Sequence, residues 1–229
     1  MLKRTVSLNQ TSKLNKDLAH VFINRVSFKD SRFNKEHSGS AFFIRYKEKV
    51  YGVTAKHILQ FTKTDTMKSV DFRNELVKWE FYIPNKPQFT IEAGRLVNAN
   101  PNESLELPLF GDWLIFEINQ SIPQEVHLFE LSEKPLSTAD ELGIWGFPYN
   151  SSSPEIPFQT TGRFDRYNTA SHSFYVNVPK NDFLGCSGGP VVDNQGKVVG
   201  LVSKGYFDET EQKMIFQPAS ISYFKEVLG

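Results

Sequence analysis

The sequence predicts an all-β protein: two packed antiparallel six-stranded β-barrels with a short C-terminal helix. Short alternating, β-branched or aromatic runs recur along the 229 residues, broken by clusters of Asn, Gly, Pro and Lys, the pattern of strands joined by turns. They fall into two series of six on either side of a polar connection at 119–135, which reads as two similar barrels. Aromatic residues make up 14% of the chain, and 20 residues are Phe, which suits pleated faces packed against one another.

In chain order, the first series is 19–28, 40–46, 50–54, 78–83, 89–98 and 113–118. The second is 141–147, 157–167, 173–178, 190–192, 198–204 and 213–218. Two turns stand out, one over Tyr46, Lys47, Glu48 and Lys49 and one over Asp193, Asn194, Gln195 and Gly196, each joining two apolar runs as a hairpin does. Helical signals are few: one turn at 56–60, and 219–228, where Ile221, Phe224, Val227 and Leu228 share a helical face. The stretch 100–109 reads as an irregular loop. The expected organisation is an N-terminal arm (1–17), a first barrel (18–118), a linker (119–135), and a second barrel with the helix (136–229).

Composition excludes several classes of function. The 26 basic and 26 acidic groups cancel, so the basic field of a general nucleic-acid or membrane-surface binder is missing and neither is an expected partner. Cys186 is the single cysteine, which rules out an internal disulfide and a multi-cysteine zinc site. The apolar runs fall far short of the about 20 residues of a spanning helix. The basic start has no apolar core of a signal peptide. A cytoplasmic, reducing location is therefore expected. His20, His37, His127 and His172 lack ligand-like spacing with acids or Cys186, and no metal or cofactor is expected. Trp79, Trp113 and Trp145 lie within strand readings and read as core.

Chemistry concentrates in the segment from Asp182 to Val192, Asp-Phe-Leu-Gly-Cys-Ser-Gly-Gly-Pro-Val-Val. Gly185, Gly188 and Gly189 strip side chains from around Ser187 and permit unusual backbone angles. The N–H groups of Gly185 and Ser187 could then converge on one spot as an oxyanion hole. The plain alternative is a Gly-rich turn between strands. His57 follows a β-run and small Ala55, so it is either held against a barrel wall facing a cleft or a surface histidine. Asp112 opens an otherwise apolar strand, Trp113 to Phe116. It is either a turn residue or a buried acceptor for His57, since burial without a partner would be costly. Asp65 and Asp71 are rival carboxylates in more polar stretches.

Taken together, Thr54-Ala55-Lys56-His57, Asp112-Trp113-Leu114-Ile115, Gly185-Cys186-Ser187-Gly188-Gly189-Pro190 and Val199-Gly200-Leu201-Val202-Ser203-Lys204-Gly205 resemble the motifs of the trypsin/chymotrypsin-like serine proteases, including bacterial trypsin-like and HtrA-like relatives. Ser38-Gly39-Ser40-Ala41 is similar to that family's strand opening before the histidine. The resemblance implies a chymotrypsin-like double barrel with the cleft between barrels. It implies a triad of Ser187 as nucleophile, His57 as base and Asp112 as its orienter, with Gly185 and Ser187 N–H groups as oxyanion hole. It also implies a protein or peptide substrate laid along Ser203, Lys204 and Gly205. Asn181 stands where Arg/Lys-specific members carry Asp, and Val202 where Glu-specific relatives keep a histidine, so a neutral pocket walled by Asn181, Phe183, Leu184 and Ser203 is expected. Phe183 and Leu184 packing the loop is the alternative.

Cys186 replaces the carboxylate that pairs with a released N-terminus in secreted members. Zymogen activation by that ion pair is not expected, and other contacts must order the oxyanion loop. Regulation would then fall to a protein partner or the N-terminal arm. Two competing readings remain at this level: a catalytically silent module that binds extended peptides, and a cysteine hydrolase using Cys186.

Overall fold

A computed structural model describes residues 19–72, 74–151, 153, 155–179, 182–210 and 213–229. The expected arm 1–17 and Asn181 lie outside the described residues.

The first series gives β1 (Phe22–Phe28), β2 (Ser40–Tyr46), β3 (Lys49–Thr54), β4 (Ser69–Val70), β5 (Leu76–Ile83), β6 (Lys86–Glu92), β7 (Asn100–Ser104), β8 (Leu114–Glu117) and β9 (Leu128–Phe129). Strands run in the order β6-β5-β1-β2-β3-β8, with β9 added in parallel to β2. The sheet curls back on itself after β6: Gly94 N–H donates to Glu117 C=O, Glu117 N–H to Arg95 C=O and Val97 N–H to Ile115 C=O, tying 94–97 to β8. The expected β2–β3 hairpin forms with Tyr46 opposite Lys49. Its two turn residues, Lys47 and Glu48, have φ of 46° and 66°, the left-handed pair that matches strand twist in a two-residue turn.

The second series closes completely. β10 (Glu141–Gly146), β11 (Phe158–Asn168), β12 (Ser173–Val178), β13 (Pro190–Val192), β14 (Val198–Asp208) and β15 (Lys213–Ser220) form the barrel β10-β11-β12-β15-β14-β13. α1 (Ile221–Leu228) follows, its first turn capped by the Ser220 hydroxyl. The helix crosses back onto the first unit, where Phe224 packs against Tyr46, Tyr51 and Trp113. Trp113 Nε1–H donates to the Ser220 carbonyl at 3.0 Å.

Alternation explains the two interiors. Phe22, Phe43, Trp79, Phe81 and Phe116 pack on one face of the first as a set of edge-on and tilted rings, the geometry aromatic quadrupoles prefer, while Phe42, next along β2, meets Trp113 and Phe129 instead. Leu142, Ile144, Phe164, Phe174, Val176, Val191 and Phe216 fill the second.

Two expectations change. Part of the 100–109 stretch pairs as β7 with the two-residue β4, and the linker contributes β9, so the first unit carries more strands than six. Pairings this short present no period to read.

Candidate active site

Three chain segments meet between the two sheets. β3 ends at Thr54 and the chain tightens into a 3-10 turn, Lys56–Gln60, which carries His57. Gly111, at φ 53°, turns the chain so that Asp112 enters just ahead of β8. The turn before β13 carries Ser187.

Asp112 is 6% exposed and is held by three donors. Its Oδ1 accepts the His57 backbone N–H at 2.7 Å, and its Oδ2 lies 2.7 Å from His57 Nδ1. The Ser203 hydroxyl also donates to Oδ2. With the carboxylate ionised, Nδ1 must carry the proton, which leaves the Nε2 lone pair facing Ser187 Oγ at 2.9 Å. Asp112, rather than Asp65 or Asp71, is thus the carboxylate on His57.

Electrostatics reinforce this arrangement. Burial alone would push the His57 pKa down, but the charge and hydrogen bond of Asp112 outweigh it and hold it above the ordinary histidine value, with nearby Lys204 opposing. Burial likewise works against the Asp112 anion, yet His57, Ser203 and the His57 backbone N–H together hold its pKa below the usual range.

The nucleophile-type turn is set by close backbone approach. Gly185 has φ 96°, and a Cβ there would lie 2.6 Å from Phe147 O and from Tyr149 N, so no other residue fits. Tyr149 N–H donates to the Leu184 carbonyl at 2.9 Å. Because C=O and N–H point oppositely across a trans peptide, the Gly185 N–H is turned away from the 147–149 backbone. Among the described residues, neither the Gly185 nor the Ser187 N–H has a hydrogen-bond acceptor, and both residues line the cleft.

That cleft, about 670 Å³, starts at His57 and Ser187. Of the expected substrate-binding residues, Phe183, Leu184, Ser203, Lys204 and Gly205 all line it. Phe183 also stacks on Phe216 at 4.9 Å, so it packs the loop and walls the cleft at once. Leu184 is 67% exposed and, with Phe61 and Tyr149, forms an apolar rim. β13 pairs with β14 only as far as Leu201; Lys204 and Gly205 pair with β15 on one side, Ser203 sits in the register shift just before them, and all three border the cleft.

Sequence reading missed Met214 and Phe216 as cleft residues, because a strand pattern does not say what its residues face, and Phe61 and Tyr149, because they are exposed and lie outside any strand. It also missed Lys56, which is fully buried beside His57. Its Nζ reaches Glu103 at 2.9 Å, Phe110 O at 2.6 Å and Tyr223 Oη at 3.3 Å.

Cys186 is buried against Gly146. Burial, then the nearby Asp182 charge, push its thiol up to about 12, which removes the thiolate a nucleophile would need.

No family model and no curated protein sequence matches the chain. Among solved structures it is similar to the serine endoprotease from Yersinia pestis, with TM-score 0.58 and 16% identity over 99% of this chain and 66% of that one. It is also similar to the Rv3671c protease from M. tuberculosis in its active form, with TM-score 0.58 and 17% identity over 93% of this chain and 82% of that one. The chain spans just under two thirds of the Yersinia protein's length. At these identities the likeness is one of fold: the trypsin-like serine-protease double barrel.

Proposed function

We propose that the chain is a serine endopeptidase that hydrolyses peptide bonds through Ser187, His57 and Asp112 by way of an acyl-enzyme. The observation that carries this reading is the unbroken contact chain Asp112 Oδ2–His57 Nδ1 and His57 Nε2–Ser187 Oγ, at 2.7 and 2.9 Å. Ser187 Oγ attacks the scissile carbonyl while Nε2 takes its proton. The resulting imidazolium is stabilised by Asp112 and then delivers the proton to the leaving amine. Water repeats the sequence on the ester. The Gly185 and Ser187 N–H groups, without acceptors among the described residues, would receive the oxyanion.

An extended peptide would lie along Ser203, Lys204 and Gly205 as an added strand. The P1 side chain would enter the space bounded by Phe183, Val202, Met214 and Phe216, which supports an apolar P1. A silent peptide-binding module would need the Leu184 carbonyl turned into the cleft. The Tyr149 N–H bond to that carbonyl favours the active reading instead.

The test is cleavage of a proteome-derived peptide library by the wild type and by Ser187→Ala. The expected result is cleavage after apolar residues, abolished in the variant. Equal cleavage by both proteins would refute the assignment.

A further inference from the structure

The nucleophile loop holds its shape although Cys186 is an uncharged, buried thiol, so no ion pair through that position orders it. The contacts that do so converge on one small side chain from the other barrel. Ser40, fully buried at the start of β2, donates its hydroxyl to the Gly185 carbonyl at 2.9 Å and accepts the Phe147 N–H at 2.8 Å. Its backbone N–H donates to the Ser187 carbonyl at 2.7 Å. One residue therefore grips both sides of the oxyanion turn and also the 147–149 segment, whose Tyr149 N–H keeps the Leu184 carbonyl out of the cleft.

Ser40 is itself fixed from behind. Its carbonyl accepts from Thr54 Oγ1 at 2.7 Å and Asn24 Nδ2 at 3.0 Å. Asn24 Oδ1 in turn accepts the Trp79 indole N–H at 3.0 Å. All four side chains are buried, so the network has little alternative to satisfying itself, and buried networks of this kind select one arrangement. The approach is close enough that a Cβ on Gly188 would lie 2.2 Å from the Ser40 carbonyl oxygen.

We propose that Ser40 is the positioning residue of the oxyanion loop: the first barrel, through the Ser40 hydroxyl, holds the Gly185–Ser187 turn in its hydrolytic shape constitutively. This rests on the serine-endopeptidase reading for its effect on rate, while the loop's order can be measured without any activity.

The experiment compares full-length wild type, Ser40→Ala and Ser40→Cys. The Cys variant keeps the approximate shape but offers only a weak donor. Amide exchange at Tyr149 and Cys186 reads the loop directly, because their acceptors, Leu184 O and Phe183 O, are in place only while the turn holds. Ser40→Ala should speed exchange at these two amides by about ten-fold or more with β8 amides unchanged, and should lower kcat per titrated active site by roughly 10- to 100-fold with KM within about two-fold. Ser40→Cys should fall between wild type and Ser40→Ala, and it supplies the same readouts if Ser40→Ala does not fold. A folded variant with wild-type exchange at Tyr149 and Cys186 would overturn the proposal, as would uniform acceleration across β8. If the wild type hydrolyses nothing, the endopeptidase reading fails and the exchange data still decide the role of Ser40.

Discussion

Replacing Lys56 with Met removes a cation that the fold has buried completely. Lys56 is 0% exposed and Glu103 only 15%, and the three ammonium donors are taken up by Glu103, the Phe110 carbonyl and the Tyr223 hydroxyl. The Nζ also lies 4.9 Å from the centre of the Tyr223 ring. Met fills the stem's volume but leaves Glu103 with the Phe110 N–H at 3.1 Å as its remaining strong donor. Breaking one side of a buried pair costs about 3–5 kcal/mol, and the partial exposure of Glu103 argues for the lower end. For a chain of this length each kcal/mol moves Tm by roughly 2–4 °C, so Lys56→Met should melt roughly 6–12 °C below wild type. Glu103→Gln strands the Lys56 cation and should cost a similar amount. The double variant buries no charge and should cost clearly less than the sum, with a coupling of about 1–3 kcal/mol in a denaturation cycle. A Lys56→Met melt within about 1 °C of wild type, or strict additivity, would refute the buried-pair reasoning.

Asp112→Asn presents an amide N–H to His57 Nδ1 and so forces the proton onto Nε2, which then cannot accept from Ser187. The expected loss in kcat is on the order of 10⁴-fold, as in the general triad template, with the fold retained by circular dichroism. Because His57 must be neutral to act as base and its pKa is raised by Asp112, kcat/KM should rise with pH through a midpoint above the ordinary histidine value of about 6.5. Lys204 disfavours the imidazolium, so Lys204→Gln should move that midpoint further up. The shift should shrink in high salt because Lys204 is exposed, and a downward move would contradict the placement of Lys204 near His57. Cys186, buried with its pKa pushed up to about 12, should resist iodoacetamide in the folded protein near neutral pH; rapid alkylation would show it to be accessible.

The strands at 40–46, 173–178 and 190–192 were legible to the residue because each is a short run rich in apolar, aromatic or β-branched residues with Gly, Asn, Ser or Lys clusters near its ends. The meeting of His57, Asp112 and Ser187 was legible for a different reason. Each sits where a strand begins or ends, and the chain order of the motifs resembles one known family. What could not be read depends on long-range contacts. The Ser40 hydroxyl bonds residues 107 and 145 positions away, and nothing local distinguishes it from Ser38. Lys56 reads as a surface charge until α1 brings Tyr223 over it. β4 and β9, two residues each, are held by their partners and carry no period of their own.

The most direct measurement is reaction of the full-length protein with a fluorophosphonate, followed by mass mapping of the adduct. Stoichiometric labelling of Ser187, absent in Ser187→Ala and strongly slowed in His57→Ala, is the predicted result. A well-folded wild type that stays unlabelled, or an adduct on Cys186, would contradict a serine nucleophile activated by His57.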